Sequence, residues 1–230
     1  MIQLQQIHHY FINSHSIQQD VHAALFESYA LASVNEIFQN HDIAVMVGGT
    51  GLYINAFCNG MDEVPVILQE VRSEISVGYK EYGMEWLQQQ VIINDPVYAI
   101  DGEILNPQRL MRALEVKLST GRSIRSFQTG QKKTRPFDII KLGLELNRQT
   151  LHNNINNRVD KMVELGLENE VGQLWPFRHL NALNTVGYKD LFSCLDVRIS
   201  VAQQIEMVNQ NTRLYATLQI PRLQKADTLP

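Results

Sequence analysis

The feature that most restricts the fold is the run Ile43-Ala44-Val45-Met46-Val47, closed at once by Gly48-Gly49-Thr50-Gly51. Five consecutive apolar residues are too few for a membrane span or for a helix of ordinary length. A short apolar run without polar alternation fits a strand covered on both faces, as in a parallel sheet. The glycines then turn the chain into Leu52-Tyr53-Ile54-Asn55-Ala56-Phe57, which reads as an apolar helix. Strand, glycine turn and helix together predict an α/β arrangement. Glycines let the backbone approach a ligand, and the following helix offers unpaired N–H groups at the positive end of its dipole. On spacing alone the same turn also reads as a tight strand-to-helix connection with Thr50 as N-cap.

A second strand is predicted at Phe137-Asp138-Ile139-Ile140-Lys141-Leu142-Gly143-Leu144, introduced by Pro136. Roughly ninety residues of helical patterning separate the two strands, too many for a plain crossover. The expected organisation is therefore an α/β core built from residues 1–63 and 137–230, the latter ending in helices, with a helical insertion at residues 64–136. Val64-Pro65-Val66 and Thr134-Arg135-Pro136 are its expected hinges. Apolar positions Val21, Leu25, Tyr29, Ala32, Val34 and Phe38 predict a further helix before the first strand.

Charge divides the chain unevenly. Residues 1–104 hold thirteen Asp/Glu against Arg72 and Lys80, whereas residues 105–137 hold eight Lys/Arg against Glu115 alone, a local balance of +7 within a chain of net charge −4. Such a stretch reads either as a solvated surface or as a phosphate-binding one. Cys58 and Cys194 lie outside any C-x-x-C pattern, and His8, His9 and His15 lack a matching carboxylate or cysteine set, so no protein metal ligand is assigned. Without an apolar run long enough to span a bilayer or a signal-type start, no membrane partner is expected and the default location is cytoplasmic.

Four ordered motifs give the chain a family resemblance. Val47-Gly48-Gly49-Thr50-Gly51-Leu52-Tyr53, with the helix exit Gly60-Met61-Asp62-Glu63-Val64-Pro65, resembles the signature of the tRNA dimethylallyltransferase (IPP transferase) family. Asn106-Pro107-Gln108-Arg109-Leu110-Met111-Arg112-Ala113-Leu114-Glu115-Val116, followed by Thr120-Gly121-Arg122, is similar to a second family segment. Ile155-Asn156-Asn157-Arg158-Val159-Asp160-Lys161-Met162 and Thr185-Val186-Gly187-Tyr188-Lys189-Asp190-Leu191 resemble a third and a fourth.

The resemblance implies a partial P-loop-NTPase-like parallel sheet and transfer of a dimethylallyl group from dimethylallyl diphosphate to the exocyclic amine of the adenosine beside the tRNA anticodon. It implies nucleotide binding, and magnesium held with the diphosphate by ligands absent from this chain. The partner it implies is the tRNA anticodon arm. Carried over residue by residue, Thr50 would act at the adenosine. Arg72, Gln108, Arg109, Leu110, Met111 and Arg112, with Val186, Gly187, Tyr188 and Lys189, would contact tRNA. Gly48, Gly49, Gly51 and Arg213 would contribute loop or phosphate contacts. The family's phosphate loop and D-S-x-Q segment have no counterpart in this sequence. A catalytically silent tRNA-binding fragment or degenerate homologue is therefore a second expectation, as is inactivity of the chain alone. A strand at residues 43–47 without its neighbour would expose a sheet edge and favour self-association. At the far end, Pro221 is expected to stop the last helix.

Overall fold

A computed structural model describes residues 7–197 and 200–224 and divides the chain into two compact units. One unit comprises Met1–Cys58 with Arg135–Pro230, the other Asn59–Thr134. The expected insertion, residues 64–136, occupies nearly the same stretch of chain as the second unit.

Among the described residues, the first helix of the first unit is α1, Ala23–Ile37, whose N-terminus is capped by the His22 imidazole accepting from the Leu25 N–H at 3.2 Å. Helix α2, Gly51–Asn59, follows the glycine turn. Ala30 and Val34 of α1 bury against Phe57 of α2, with Phe26, Leu31 and Phe137 around them. Arg135 holds this small core together. Its guanidinium donates to the Phe57 and Ala56 carbonyls at 2.7 and 3.0 Å, capping the end of α2, and pairs with Glu27 at 2.7 Å. The pair is out of solvent, with the two side chains 9% and 10% exposed. It therefore acts at low dielectric, and the carbonyls satisfy donors that a lone carboxylate could not.

The second unit is built on α3, Gln69–Asn94, and α5, Pro107–Thr120, joined by the short α4, Pro96–Asp101. Helix α3 is kinked at Gly83, whose φ of 76° is the left-handed region that L side chains adopt only with strain. Helix α5 carries local signals at both ends. Asn106 caps its N-terminus, Pro107 opens the first turn, and Gly121 closes the C-terminus with φ 72°. Between α3 and α5 the side chains of Leu87, Val91, Leu110, Leu114 and Val116 are completely enclosed. Each such burial contributes about 1.5–3 kcal/mol before entropy is counted. The two chain ends of this unit run side by side. The Lys133 N–H donates to the Asn59 carbonyl at 2.8 Å, and the Asp62 carboxylate accepts from Thr129 Oγ1 at 2.5 Å and from the Gly130 N–H at 3.4 Å.

The rest of the first unit is a bundle of α6, Arg148–Glu164, α7, Leu167–Leu174, α8, Tyr188–Val197, and α9, Val201–Gln224. Val159, Leu167, Val171, Leu191, Phe192 and Val208 form its core. Helix α9 runs through Pro221 instead of ending before it. The proline lies in the final turn of the helix, so one backbone donor is given up close to an end that frays in any case.

The parallel sheet is not formed, and the fold is helical: no described residue belongs to a strand. Residues 43–47 and 137–144 run extended without a ladder. Phe137 and Ala44 pack against the α1–α2 core, but most of the other apolar side chains face outward, with Val47 89% and Leu144 96% exposed. A helix satisfies its backbone hydrogen bonds internally, whereas a strand requires a neighbour at ladder distance. The described residues provide none. The P-loop-NTPase-like core expected from the sequence therefore gives way to an all-helical arrangement, and the expected sheet edge is absent with it.

Candidate nucleic-acid interface

Arginines that could meet RNA lie on α3 and α5. Arg72 sits in the first turn of α3, and Gln108, Arg109 and Arg112 in the first half of α5. Glu115, the lone acid of the cationic stretch, lies between two of them. Its carboxylate is 3.6 Å from Arg72 Nε and 3.6 Å from Arg112 Nη1, and its side chain is only 11% exposed. Two guanidinium groups from separate helices are thereby held on one face with their outer edges in solvent. Arg109 forms an ion pair with Glu103. Of the five consecutive positions 108–112, Leu110 is fully buried in the α3–α5 core and Met111 packs against that core. Only Gln108, Arg109 and Arg112 present polar groups outward.

The excess of +7 along residues 105–137 is smaller in space than in sequence. Arg125 pairs with Asp101 at 2.9 Å, Lys133 with Glu63 at 4.0 Å, and Arg135 with Glu27. Arg122 lies over the Phe127 ring at 4.6 Å, and Lys117 Nζ donates to the Gly121 carbonyl. Acids from the strongly negative first part of the chain thus neutralise much of the basic segment. Lys117, Arg122 and Lys132 have no ion pair among the described residues, and Arg72, Arg109 and Arg112, though paired, keep their side chains 45%, 60% and 39% exposed.

In the first unit, the glycine turn is open. Gly48, Gly49, Thr50 and Gly51 are exposed, and added Cβ atoms at the three glycines would meet nothing. The Thr50 carbonyl accepts from the Tyr53 and Ile54 N–H groups at 2.9 and 3.1 Å, so Thr50 stands at the start of α2 with its side chain outward. Magnesium with a diphosphate is usually held by one or two carboxylates together with phosphate oxygens. No carboxylate occurs from Ala44 to Gly60, and no group of three or more His, Cys, Asp or Glu among the described residues could hold a metal ion. The donor set around Thr50 does not fit that ion.

The motif at residues 186–189 opens α8. Val186 is exposed, Gly187 has φ 99° and its N–H donates to Asp190 Oδ2 at 3.1 Å, and Lys189 points to solvent. Tyr188 is committed to the bundle. Its ring stacks on Phe192 and its hydroxyl donates to Glu170 at 2.5 Å. Burial, and then the bond to that carboxylate, push the phenol up to about 12. Arg213 is likewise engaged, donating to Asn156 Oδ1 at 2.8 Å and to Glu206 at 2.7 Å.

Sequence reasoning missed the double role of Glu115 and the use of Glu27 as an inward-facing partner. For Glu115 a signal existed, since a single acid among the three cations Arg109, Arg112 and Lys117 on an amphipathic helix is a natural shared counter-ion. For Glu27, on an exposed-looking helix 108 residues away from Arg135, there was none.

The IPP transferase family model matches residues 1–225. The chain is 39% identical over 218 residues to tRNA dimethylallyltransferase 1 of Bacteroides thetaiotaomicron, covering 95% of this chain and 71% of that protein. It is 40% identical to the tRNA dimethylallyltransferase of Christiangramia forsetii over 217 residues, or 94% and 72% of the two chains. Among solved structures, the tRNA isopentenylpyrophosphate transferase of Bacillus halodurans aligns with TM-score 0.63 and 27% identity, covering 98% of this chain and 71% of that one. A eukaryotic dimethylallyltransferase acting on tRNA shares the fold, with TM-score 0.74 at 23% identity over 94% of this chain and 56% of that one.

Proposed function

The chain belongs to the tRNA dimethylallyltransferase (IPP transferase) family, and from that premise we propose that it serves the transfer of a dimethylallyl group to an adenosine of tRNA, with the α3–α5 unit gripping the anticodon arm. The acceptor is the exocyclic amine of the adenosine beside the anticodon. In this reaction the amine nitrogen forms a bond to the allylic carbon, the carbon–oxygen bond to the diphosphate breaks, and the amine gives up one proton.

The observation that carries the reading is the arrangement of Arg72 and Arg112 around the buried Glu115, with Arg109 on the same helix. A guanidinium held in place by a carboxylate keeps a planar donor edge for phosphate or for stacking on an unstacked base, without the full entropy cost of ordering a long side chain. Gln108 adds an amide to the same rim, while Leu110 and Met111 support it from the core. At residues 186–189 the contact would come from Lys189 and the Val186–Gly187 backbone, with Tyr188 fixing the helix start.

Thr50 would accept a hydrogen bond from the adenosine amine and orient its lone pair; a neutral hydroxyl is a poor proton acceptor near pH 7, so orientation is its part. Gly48, Gly49 and Gly51 leave space for the ligand's approach. The anionic substrate would be dimethylallyl diphosphate. Arg213, already bonded to Glu206 and Asn156, contributes to the bundle in this reading. No helix among the described residues is long and apolar enough to cross a membrane, in keeping with a polyanionic partner in water.

The test is binding of an unmodified anticodon stem-loop. Replacing Arg109 and Arg112 together by alanine should weaken affinity at least tenfold and flatten its salt dependence by about 1–2 in log–log slope. Unchanged affinity in a variant that unfolds like the parent would defeat the assignment.

A further inference from the structure

We propose that Arg178, His179 and Lys189 line a second phosphate-binding cleft on the C-terminal bundle, which takes a backbone phosphate of the bound RNA. The inference rests on the tRNA-binding reading above and extends it to residues that none of the four family motifs contains, apart from Lys189.

The cleft has a volume of about 380 Å³ and lies between the turn at Asn181–Leu183 and helix α8. Leu183 and Phe192, both nearly fully buried, form its floor. Arg178, His179 and Lys189 stand on its walls with Asn184, and no Asp or Glu lines it. Neither Arg178 nor Lys189 has an ion-pair partner among the described residues. Two cations facing an acid-free concavity repel each other unless an anion enters.

Arg178 is also held ready. Its guanidinium carbon lies over the Trp175 ring, 4.3 Å from the centroid, and Nη1 donates to the Trp175 carbonyl at 3.2 Å. Trp175 in turn contacts Phe192 of the bundle core at 5.9 Å between rings. Stacking on indole restricts the side chain while leaving further N–H donors in the guanidinium plane. Phosphate oxygens accept from such a fork, and an imidazole and an ammonium beside it supply more donors.

Two phosphate sources share this chemistry, the RNA backbone and a free diphosphate. Continuity favours RNA. Lys189 belongs both to the cleft and to the 186–189 segment, so a strand lying on that segment passes the cleft mouth.

The experiment uses the whole chain, unmodified tRNA and inorganic pyrophosphate as the second probe. Affinity for tRNA is measured at several KCl concentrations, and pyrophosphate binding by calorimetry. Arg178→Gln with His179→Asn should weaken tRNA binding about fivefold to tenfold and reduce the log–log salt slope by roughly 1. Arg178→Lys, which keeps the charge, should recover most of the slope. Asn184→Asp places a negative charge in the cleft without touching the Trp175 stack, and should weaken tRNA binding similarly. It decides the matter if the double variant does not fold. Wild-type affinity and slope in Asn184→Asp, or in a double variant that unfolds like the parent, overturn the cleft while leaving the proposed function intact. Loss of pyrophosphate binding with tRNA binding retained assigns the cleft to the free anion and likewise overturns it. Failure of the wild-type chain itself to bind tRNA overturns the functional reading and the cleft together.

Discussion

Residues 43–47 and the α3–α5 pair treat apolar side chains in opposite ways. Every residue of the first is apolar, yet Ile43, Val45 and Val47 are largely in solvent. In the second, apolar residues alternate with charges, yet Leu87, Val91 and Leu110 are completely enclosed. Apolar density therefore does not decide burial; a partner element does. A helix reaches the contact with its backbone already satisfied, so spacing at 3.6 residues is enough to pair α3 with α5. An extended segment needs hydrogen-bonding neighbours before its side chains can be covered.

The contrast can be broken experimentally, because one tryptophan lies in each unit, Trp86 in the second and Trp175 in the first. The largest effect is expected from Arg135→Met. It leaves Glu27 buried and unpaired and removes two donors from the end of α2, so the unit reported by Trp175 should lose about 3–5 kcal/mol in urea unfolding. The signal of Trp86 should hold its midpoint. Leu87→Ala should do the reverse, costing the second unit about 2–5 kcal/mol through the cavity it opens. If both reporters shift together in both variants, the two units do not unfold independently.

How much of this was legible in sequence follows the same division. Helix α5 carries its start and stop in plain view, with Asn106 before it, Pro107 in its first turn and Gly121 after it, and its apolar face at Leu110, Ala113 and Leu114. That helix could therefore be read from its own residues, as could the outward placement of Arg109 and Arg112 on it. The sheet was misread because a compact apolar run is equally the mark of a strand and of an extended segment, and nothing local shows whether a neighbour exists. Pairing of the cations was hidden for a related reason. The partners Glu27, Glu63 and Asp101 are brought close by tertiary structure, and no periodicity points to them.

A smaller effect concerns the clip between the ends of the second unit. Thr129, then the Gly130 and Thr129 backbone groups and the Lys133 charge, hold the Asp62 carboxyl below its ordinary value of 3.8. Because the folded value is the lower one, the clip stabilises above about pH 4 and is lost as pH falls through the lowered value. Asp62→Asn should remove that part of the acid dependence reported by Trp86, and an unchanged acid profile would show the clip to be energetically silent. The smallest effect should come from Val45→Thr with Leu142→Thr, expected within about 0.5 kcal/mol of wild type by either reporter. A loss comparable to that of Leu87→Ala would mean that these segments are covered after all.

The meeting of Asn59 with Lys133 has an evolutionary consequence. A segment that leaves and returns at one point is, to the rest of the chain, a side branch. The entropy of closing such a branch grows only with the logarithm of its length, so residues can be added to or removed from its far end at small thermodynamic cost to the trunk. Changes in the proposed grip on nucleic acid could then accumulate as insertions, deletions or wholesale exchange of this branch, separately from changes at the glycine turn.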